Sequence, residues 1–468
     1  MRRLVAWLAR LVSFWLFDRV EVVGRDRLPT DRGVLLVANH FNGFVDPVVL
    51  ARVFHRLPRF IAKATLTKVP GVGPLLRSLG VVFVQRRVDG PEGTTNTSAF
   101  VQCHKALAKG DTVAIFPEGT THDRPHLDPI RTGAARIVLG TAGAQPPLIV
   151  PVGLTYPDKY ANRSSVLVEF GEPIDPAVVV PDAHGEDDHE AVDALTAVID
   201  QRLRSVSPDF QDVEDWLTFD SAASVAARVD GEVTPTLASR ARLARGVARA
   251  DTEQQDAVRA AMGRYAAILA PLRLTDPDVA DPTRSPTVLR AAIVAGIWVV
   301  LAGAWVLATI LVNAIPFLLV ILAGLRTKVP VTKGTVRVLV GLVTFPIAWV
   351  VGAVLACDDW WQGILWFVAF AVGAAAVVVL VDRALALGGS VFTWYVVRER
   401  AAAIDIARVV RQDVIDAVDA IAITTPQATP DPRWRDRARR RRAQPPSRSS
   451  PEQASPPPGP EQAPAPAP

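Results

Sequence analysis

The sequence predicts an α/β domain whose mixed sheet is flanked by helices, followed by a helical extension and a C-terminal transmembrane helical region. Three observations predict it. Short β-branched runs alternate with helix-like stretches from about Val20 to Pro173, strand signals vanish from His189 to Val279, and apolar residues concentrate between Ala291 and Val381. The boundaries that follow are a helix over 1–19, a sheet domain over 20–180, a helical extension over 181–290, a membrane region over 291–382, a further helix over 383–423 and a tail over 424–468. At 468 residues the chain is long enough for two or three such units.

The N-terminal stretch MRRLVAWLARLVSFWLFDRV has the basic start and apolar middle of a secretory signal, but Arg10 interrupts the apolar run and no small-x-small cleavage site follows. Arg3, Ala6, Arg10 and Ser13 recur at helical spacing and leave a wide face of Leu, Val, Trp and Phe. That pattern suits either a helix lying in a membrane interface or a buried core helix, and the former is expected.

The strands are read from GVLLVA, VVFVQ, TVAIF, LIVPVGLTY and VLVEF, each followed by polar or glycine-containing residues. Beyond them, HEAVDALTAVIDQRLRSV and DAVRAAMGRYAAILAPL carry apolar residues at helical intervals.

Residues 291–324 are 34 apolar-rich residues. As one helix they would run about 51 Å against a hydrocarbon core of about 30 Å. A hairpin turning at Asn313 and Pro316 is therefore expected, then helices over 338–357 and 364–381 separated by DDWWQG. This makes either four crossings or one re-entrant hairpin and two crossings. Arg326, Lys328, Lys333 and Arg337 make the 325–337 loop basic, whereas DDWWQG has no basic residue. The positive-inside rule then sets the α/β domain, the basic loop and the tail together on the cytoplasmic side of the plasma membrane; an unbroken first helix would set the basic loop outside.

Two cysteines, Cys103 and Cys357, exclude a disulfide framework or a cysteine-based metal site. No metal-ligand set or cofactor motif is visible. Seven arginines between Arg433 and Arg442 precede a Pro-rich segment that cannot bury a core, so the tail is expected to be disordered. Beside a membrane region this basic cluster fits anionic headgroups better than nucleic acid.

The residues that carry chemistry begin with ANHFNGFVDP, where His40 and Asp46 follow the carboxyl end of GVLLVA, the edge at which open α/β sheets hold ligands. A histidine is a general base near neutral pH, and a carboxylate on its other nitrogen fixes the tautomer. Without a nucleophile-elbow serine, such a pair fits activation of a substrate hydroxyl; two unrelated polar residues in a surface turn is the other reading. On a regular helix the six-residue separation would turn the side chains about 240° apart. The pair must span a bend, and Gly43 offers one. Lys63 in IAKATL and Arg86 and Arg87 after VVFVQ sit at further strand ends, where cations bind phosphate or carboxylate, and IFPEGTTHDRP ends another strand with Glu118, Gly119 and Thr120. In isolation each is equally a salt-bridged surface or an ordinary turn; convergence on one sheet edge separates the readings.

His40 and Asp46, GVVFVQR, FPEGTTHDRP and LIVPVGLTY resemble the four ordered blocks of the glycerolipid acyltransferase superfamily. The five residues between His40 and Asp46, where most members have four, together with FPEGTTHDRPHLDPIRTGAARI and VLVEFGEPI, are most similar to its glycerol-3-phosphate and dihydroxyacetone-phosphate acyltransferase branch. RYAAILAPLRLTDPDV resembles that branch's helical middle region. The resemblance implies a glycerol-phosphate acyltransferase-type fold and acyl transfer from acyl-CoA or acyl carrier protein to a glycerol phosphate hydroxyl, with no cofactor beyond the thioester. His40 would be the base and Asp46 its orienting group; Lys63 and Arg86, helped by Arg87 and Arg131, would hold the phosphate, and Glu118, Gly119 and Thr120 the acceptor. The same blocks fit a 1-acyl-glycerol-3-phosphate acyltransferase. A transporter fits less well, because the membrane segments hold few ionisable residues. A degenerate fold used only for lipid binding is opposed by the intact pair.

Overall fold

The computed structural model describes residues 2–424 except 69–71, 86–96, 143–144, 159–162, 229–234, 281–295, 297–302 and 329, and describes Arg439 beyond them. The sheet domain contains α1 (Arg2–Leu16), β1 (Phe17–Val23), β2 (Val34–Ala38), α2 (Val45–Val53), β3 (Arg59–Lys63), α3 (Val72–Ser78), β4 (Val82–Val84), α4 (Thr97–Leu107), β5 (Thr112–Ile115), α5 (Gly133–Leu139), β6 (Leu148–Thr155), β7 (Ser164–Phe170) and α6 (Pro176–Val179). The helical extension contains α7 (His189–Val206), α8 (Val213–Ala227), α9 (Leu237–Ala248), α10 (Thr252–Leu272) and α11 (Asp276–Ala280). Four long helices follow: α12 (Gly303–Arg326), α13 (Pro330–Ala356), α14 (Trp360–Glu399) and α15 (Ala401–Thr424).

Seven strands form one mixed sheet in the order β1-β7-β6-β2-β5-β3-β4. β6, β2, β5, β3 and β4 run parallel, so their carboxyl ends share one edge, whereas β7 runs antiparallel to β6 and carries β1 parallel to itself. The fully buried run of β2 is explained by its two covered faces. Leu36 and Ala38 pack with α1 and α2, and the alternate Leu35 and Val37 pack with α4, α5 and α7. The sequence reading missed β1, which follows α1 without a break, and β3, whose RFIAK is short and half polar.

α1 inverts the usual arrangement of a surface helix. Its small residues Ala6, Ala9 and Ser13 are buried, whereas Leu4, Trp7, Leu8, Leu11 and Phe14 are exposed. Arg10, on the inward side, donates to the Arg52 and Phe54 carbonyls at the carboxyl end of α2, where the helix dipole favours a cation.

The helical extension is locked to the sheet. Glu21 of β1 accepts hydrogen bonds from the Leu237 and Ala238 N–H groups at the start of α9, and Glu169 of β7 pairs with Arg242 and the buried Arg245. α15 packs Ile404, Val414, Ile415 and Val418 into the core that also holds Phe219 of α8 and Tyr265 of α10. The chain therefore returns after the apolar helices to complete a domain begun before them.

Among the described residues three helices are long and apolar enough to cross a membrane: Leu307–Arg326, Thr332–Ala356 and Trp360–Arg383. The expected turn at Asn313 and Pro316 does not form, because α12 runs unbroken through both. Asn313 is satisfied inside the bundle: its amide donates to the Thr309 carbonyl, and its side-chain oxygen accepts from Trp349 Nε1 of α13. A buried polar side chain so paired glues two helices together instead of ending one. Nor does the unbroken helix carry the basic segment away from the sheet domain, since the start of α13 lies against the Asn42–Val45 turn. Residues 291–295 and 297–302 of the expected hairpin, and the Arg433–Arg442 cluster and tail apart from Arg439, lie outside the described residues.

Two further contacts join this region to the sheet domain. Arg163, at a left-handed backbone angle of φ 53°, binds Asp382 of α14 and the Phe14 carbonyl of α1 while its guanidinium covers the Phe14 ring. Trp15 meets Phe345 of α13 with ring centroids 6.0 Å apart.

Candidate active site

β2 and β5 are in register, with Val37 opposite Ile115, so the residues three places beyond each, His40 and Glu118, emerge side by side at the carboxyl edge. The chain turns through Phe41–Phe44 before α2 begins, which places Asp46 in the first turn of that helix. The bend brings His40 Nδ1 to 3.0 Å from Asp46 Oδ2. A helix amino end favours a carboxylate there.

Asp46 is fully buried, and its oxygens accept two further bonds, from the Asn42 N–H at 2.7 Å and the Tyr156 hydroxyl at 2.6 Å. Burial, reinforced by the Asp46 charge, pushes Tyr156 well above the ordinary phenol range, so it keeps its proton and donates. With Nδ1 engaged, Nε2 of His40 is the ring atom left for substrate, and 15% of the side chain is exposed. The ring stacks on Phe116 with centroids 4.0 Å apart and 16° between planes. Position, tautomer and plane of the imidazole are all determined by buried neighbours.

Glu118 is buried in the loop that follows β5. Its buried carboxylate accepts from the His40 N–H at 2.8 Å and the Asp128 N–H at 2.9 Å, and lies 2.5 Å from His122 Nε2. The carboxylate that the sequence assigns to the acceptor thus also fastens the β5 loop to the backbone of the proposed base. Glu118, His122 and Asp128 bring potential metal-ligand atoms within 4.8 Å of one another, a grouping invisible in the sequence. Protein donors already occupy both Glu118 oxygens, so the trio forms a hydrogen-bonded brace.

Gly119 adopts φ 70°, and a Cβ there would lie 3.0 Å from Arg131 Nε, so only glycine lets this loop pass over the arginine. Thr120 and Arg131 are exposed beside it. Lys63 ends β3, two strands from β2 along the same edge, a distance of about 10 Å. Its partner in register is Val84 of β4. Arg86 and Arg87 lie outside the described residues.

Sequence reasoning missed Asn39 and Tyr156. Asn39 replaces a strand residue: its side chain donates to the Leu154 carbonyl and accepts from the Leu154 N–H, extending the β2–β6 ladder to the residue before His40. Tyr156 ends the LIVPVGLTY run, but only the fold reveals that this end faces Asp46.

An acyltransferase family model matches residues 19–155, which contain all of these groups except Tyr156. Glycerol-3-phosphate O-acyltransferase 2 of Saccharomyces cerevisiae is 36% identical over 183 residues, 36% of this chain and 24% of the yeast protein. Glycerol-3-phosphate O-acyltransferase 1 of the same yeast is 38% identical over 113 residues, 23% of this chain and 15% of that protein. The 1-acyl-sn-glycerol-3-phosphate acyltransferase of Borreliella burgdorferi is 28% identical over 144 residues, 31% of this chain and 54% of its own length. The chain thus spans about a quarter or less of the yeast relatives it matches. Among solved structures, the 1-acyl-sn-glycerophosphate acyltransferase of Thermotoga maritima aligns at 23% identity and TM-score 0.32, covering 43% of this chain and 76% of that one. Residues 19–155 are an acyltransferase domain of the glycerolipid acyltransferase superfamily, with glycerol-3-phosphate O-acyltransferases among its relatives.

Proposed function

We propose that this chain is a membrane-bound O-acyltransferase that moves a fatty acyl group from acyl-CoA or acyl carrier protein to the sn-1 hydroxyl of glycerol 3-phosphate in phospholipid synthesis. The observation that carries this reading is the His40–Asp46 pair, braced from three sides at the carboxyl edge of the sheet. His40 Nε2 takes the proton of the acceptor hydroxyl as its oxygen attacks the thioester carbonyl. The tetrahedral oxyanion collapses with loss of the thiolate, and the imidazolium returns the proton to that sulfur. Asp46 holds the ring and stabilises the imidazolium; base catalysis of this kind contributes about 10²- to 10⁴-fold. Lys63, with Arg86, Arg87 and Arg131, is assigned to the acceptor phosphate, and Gly119 and Thr120 to the rim beside it.

The bilayer is the second partner. The exposed apolar face of α1, its contact with α13 and the apolar α12–α14 bundle support attachment of the domain to a membrane. The basic 325–337 segment is the reason to assign the catalytic domain and tail to the cytoplasmic side of the plasma membrane. The relative in Borreliella favours a second reading, in which the acceptor is 1-acyl-glycerol 3-phosphate. Purified protein in lipid nanodiscs, given labelled acyl-CoA and each of glycerol 3-phosphate, dihydroxyacetone phosphate and 1-acyl-glycerol 3-phosphate, separates them. Faster turnover of glycerol 3-phosphate supports the first reading; turnover of the 1-acyl acceptor alone replaces it with the second.

A further inference from the structure

Three segments far apart in sequence meet at Gly43, in the turn between His40 and Asp46. A Cβ built on Gly43 would lie 3.8 Å from Thr335 Oγ1 on α13 and 3.9 Å from Thr121 Cγ2 in the loop that follows β5. One residue earlier on α13, Gly334 approaches the same turn: its Cβ would meet Val45 Cγ2 at 3.4 Å and Asn42 Oδ1 at 4.0 Å. These are ordinary contact distances, so the start of α13 is packed on the turn that carries the proposed base. Gly43 itself is exposed. Its backbone is therefore open to solvent between the β5 loop and the start of α13.

We propose that α13 supplies one wall of the acceptor site, with Thr335 as a specificity-determining contact for a phosphate-bearing polyol; this rests on the acyltransferase reading above. The side-chain atom that Thr335 turns toward Gly43 is its hydroxyl, which can donate to a phosphate or accept from a polyol hydroxyl. Lys333, two residues earlier, adds positive charge to the same end of α13. The arrangement also gives the product a path, because the helix that borders the acceptor is one of the three able to cross the bilayer. An acyl chain transferred at His40 is released beside a surface that leads into lipid.

The test is steady-state kinetics in nanodiscs on wild type, Thr335→Val, Thr335→Ser and Gly43→Ala, with His40→Ala as the reference for the acyltransferase reading. Loss of a hydroxyl contact to a charged ligand should raise the acceptor KM of Thr335→Val about tenfold. Its kcat should stay within about twofold, since the contact is made equally in ground and transition states. Thr335→Ser should restore KM. Gly43→Ala should raise it as well, although the backbone there is outside the left-handed region and a methyl meets only ordinary contacts, so a purely structural glycine would tolerate the change. Unchanged KM in Thr335→Val and Gly43→Ala, with wild-type turnover intact, overturns the wall and leaves the proposed function standing. Wild type no faster than His40→Ala on every acceptor overturns both. If only the 1-acyl acceptor turns over, the acceptor in the proposed function is replaced, and the same KM comparison on that acceptor decides the wall.

Discussion

The Tyr156 hydroxyl donates to Asp46 Oδ1 at 2.6 Å, joining the end of β6 to the first turn of α2 inside the core. This bond fixes the carboxylate from the side opposite His40. Removing the hydroxyl should leave the fold intact, because the phenylalanine ring keeps the stacking on Phe17. A hydrogen bond to a charged group is worth about 1.5–3 kcal/mol, so Tyr156→Phe should lower kcat about tenfold or more. Kinetics beside circular dichroism check this. Wild-type kcat in the folded variant would remove Tyr156 from the account.

Glu118 makes a different prediction, because its carboxylate serves two backbone N–H groups as well as His122. In Glu118→Gln the amide nitrogen must face a donor whichever way it points. We expect a loss of about 2 kcal/mol of stability together with a fall in kcat. Chemical denaturation and turnover measured on the same preparation test the pair of effects. A stable but inactive variant would instead mean that Glu118 touches substrate.

The inverted helix α1 predicts a separation of membrane binding from folding. Leu4, Trp7 and Leu11 are exposed, and burying such side chains in an apolar phase is worth about 1.5–3 kcal/mol each. Serine at all three positions should weaken recovery of the protein with vesicles and slow turnover of bilayer-borne substrate. Melting behaviour in detergent should hardly change. Equal activity on bilayer and detergent substrate would contradict an interfacial role.

Much of this architecture is legible in the residue pattern alone. The β-branched runs GVLLVA, VVFVQ, TVAIF, LIVPVGLTY and VLVEF form β2, β4, β5, β6 and β7, because a strand covered on both faces must be apolar almost throughout. β1 and β3 escape because one has no punctuation separating it from α1 and the other holds only three apolar residues, Phe60, Ile61 and Ala62, between Arg59 and Lys63. Pro316 misleads for a related reason. Proline signals a helix end in water, yet α12 carries it internally, with Asn313 and Trp349 bridging the neighbouring helices. In the site, His40 and Asp46 are legible from spacing plus a needed bend. Glu118 is legible as a chemical group but not in direction, since nothing in FPEGT tells which side of the loop its carboxylate takes. Asn39 and Tyr156 act across a sheet from partners more than 100 positions away, a relation that no local pattern encodes.

The central claim is that His40, oriented by Asp46, removes the proton of a glycerol phosphate hydroxyl during acyl transfer. Its most direct test is single-turnover acyl transfer from labelled acyl-CoA by wild type, His40→Ala and Asp46→Asn at saturating acceptor, with each variant first shown to be folded. The account predicts that His40→Ala loses at least about 10²-fold in the chemical step and that Asp46→Asn loses a comparable factor while still binding the thioester. A folded His40→Ala variant that transfers acyl groups at the wild-type rate would contradict it.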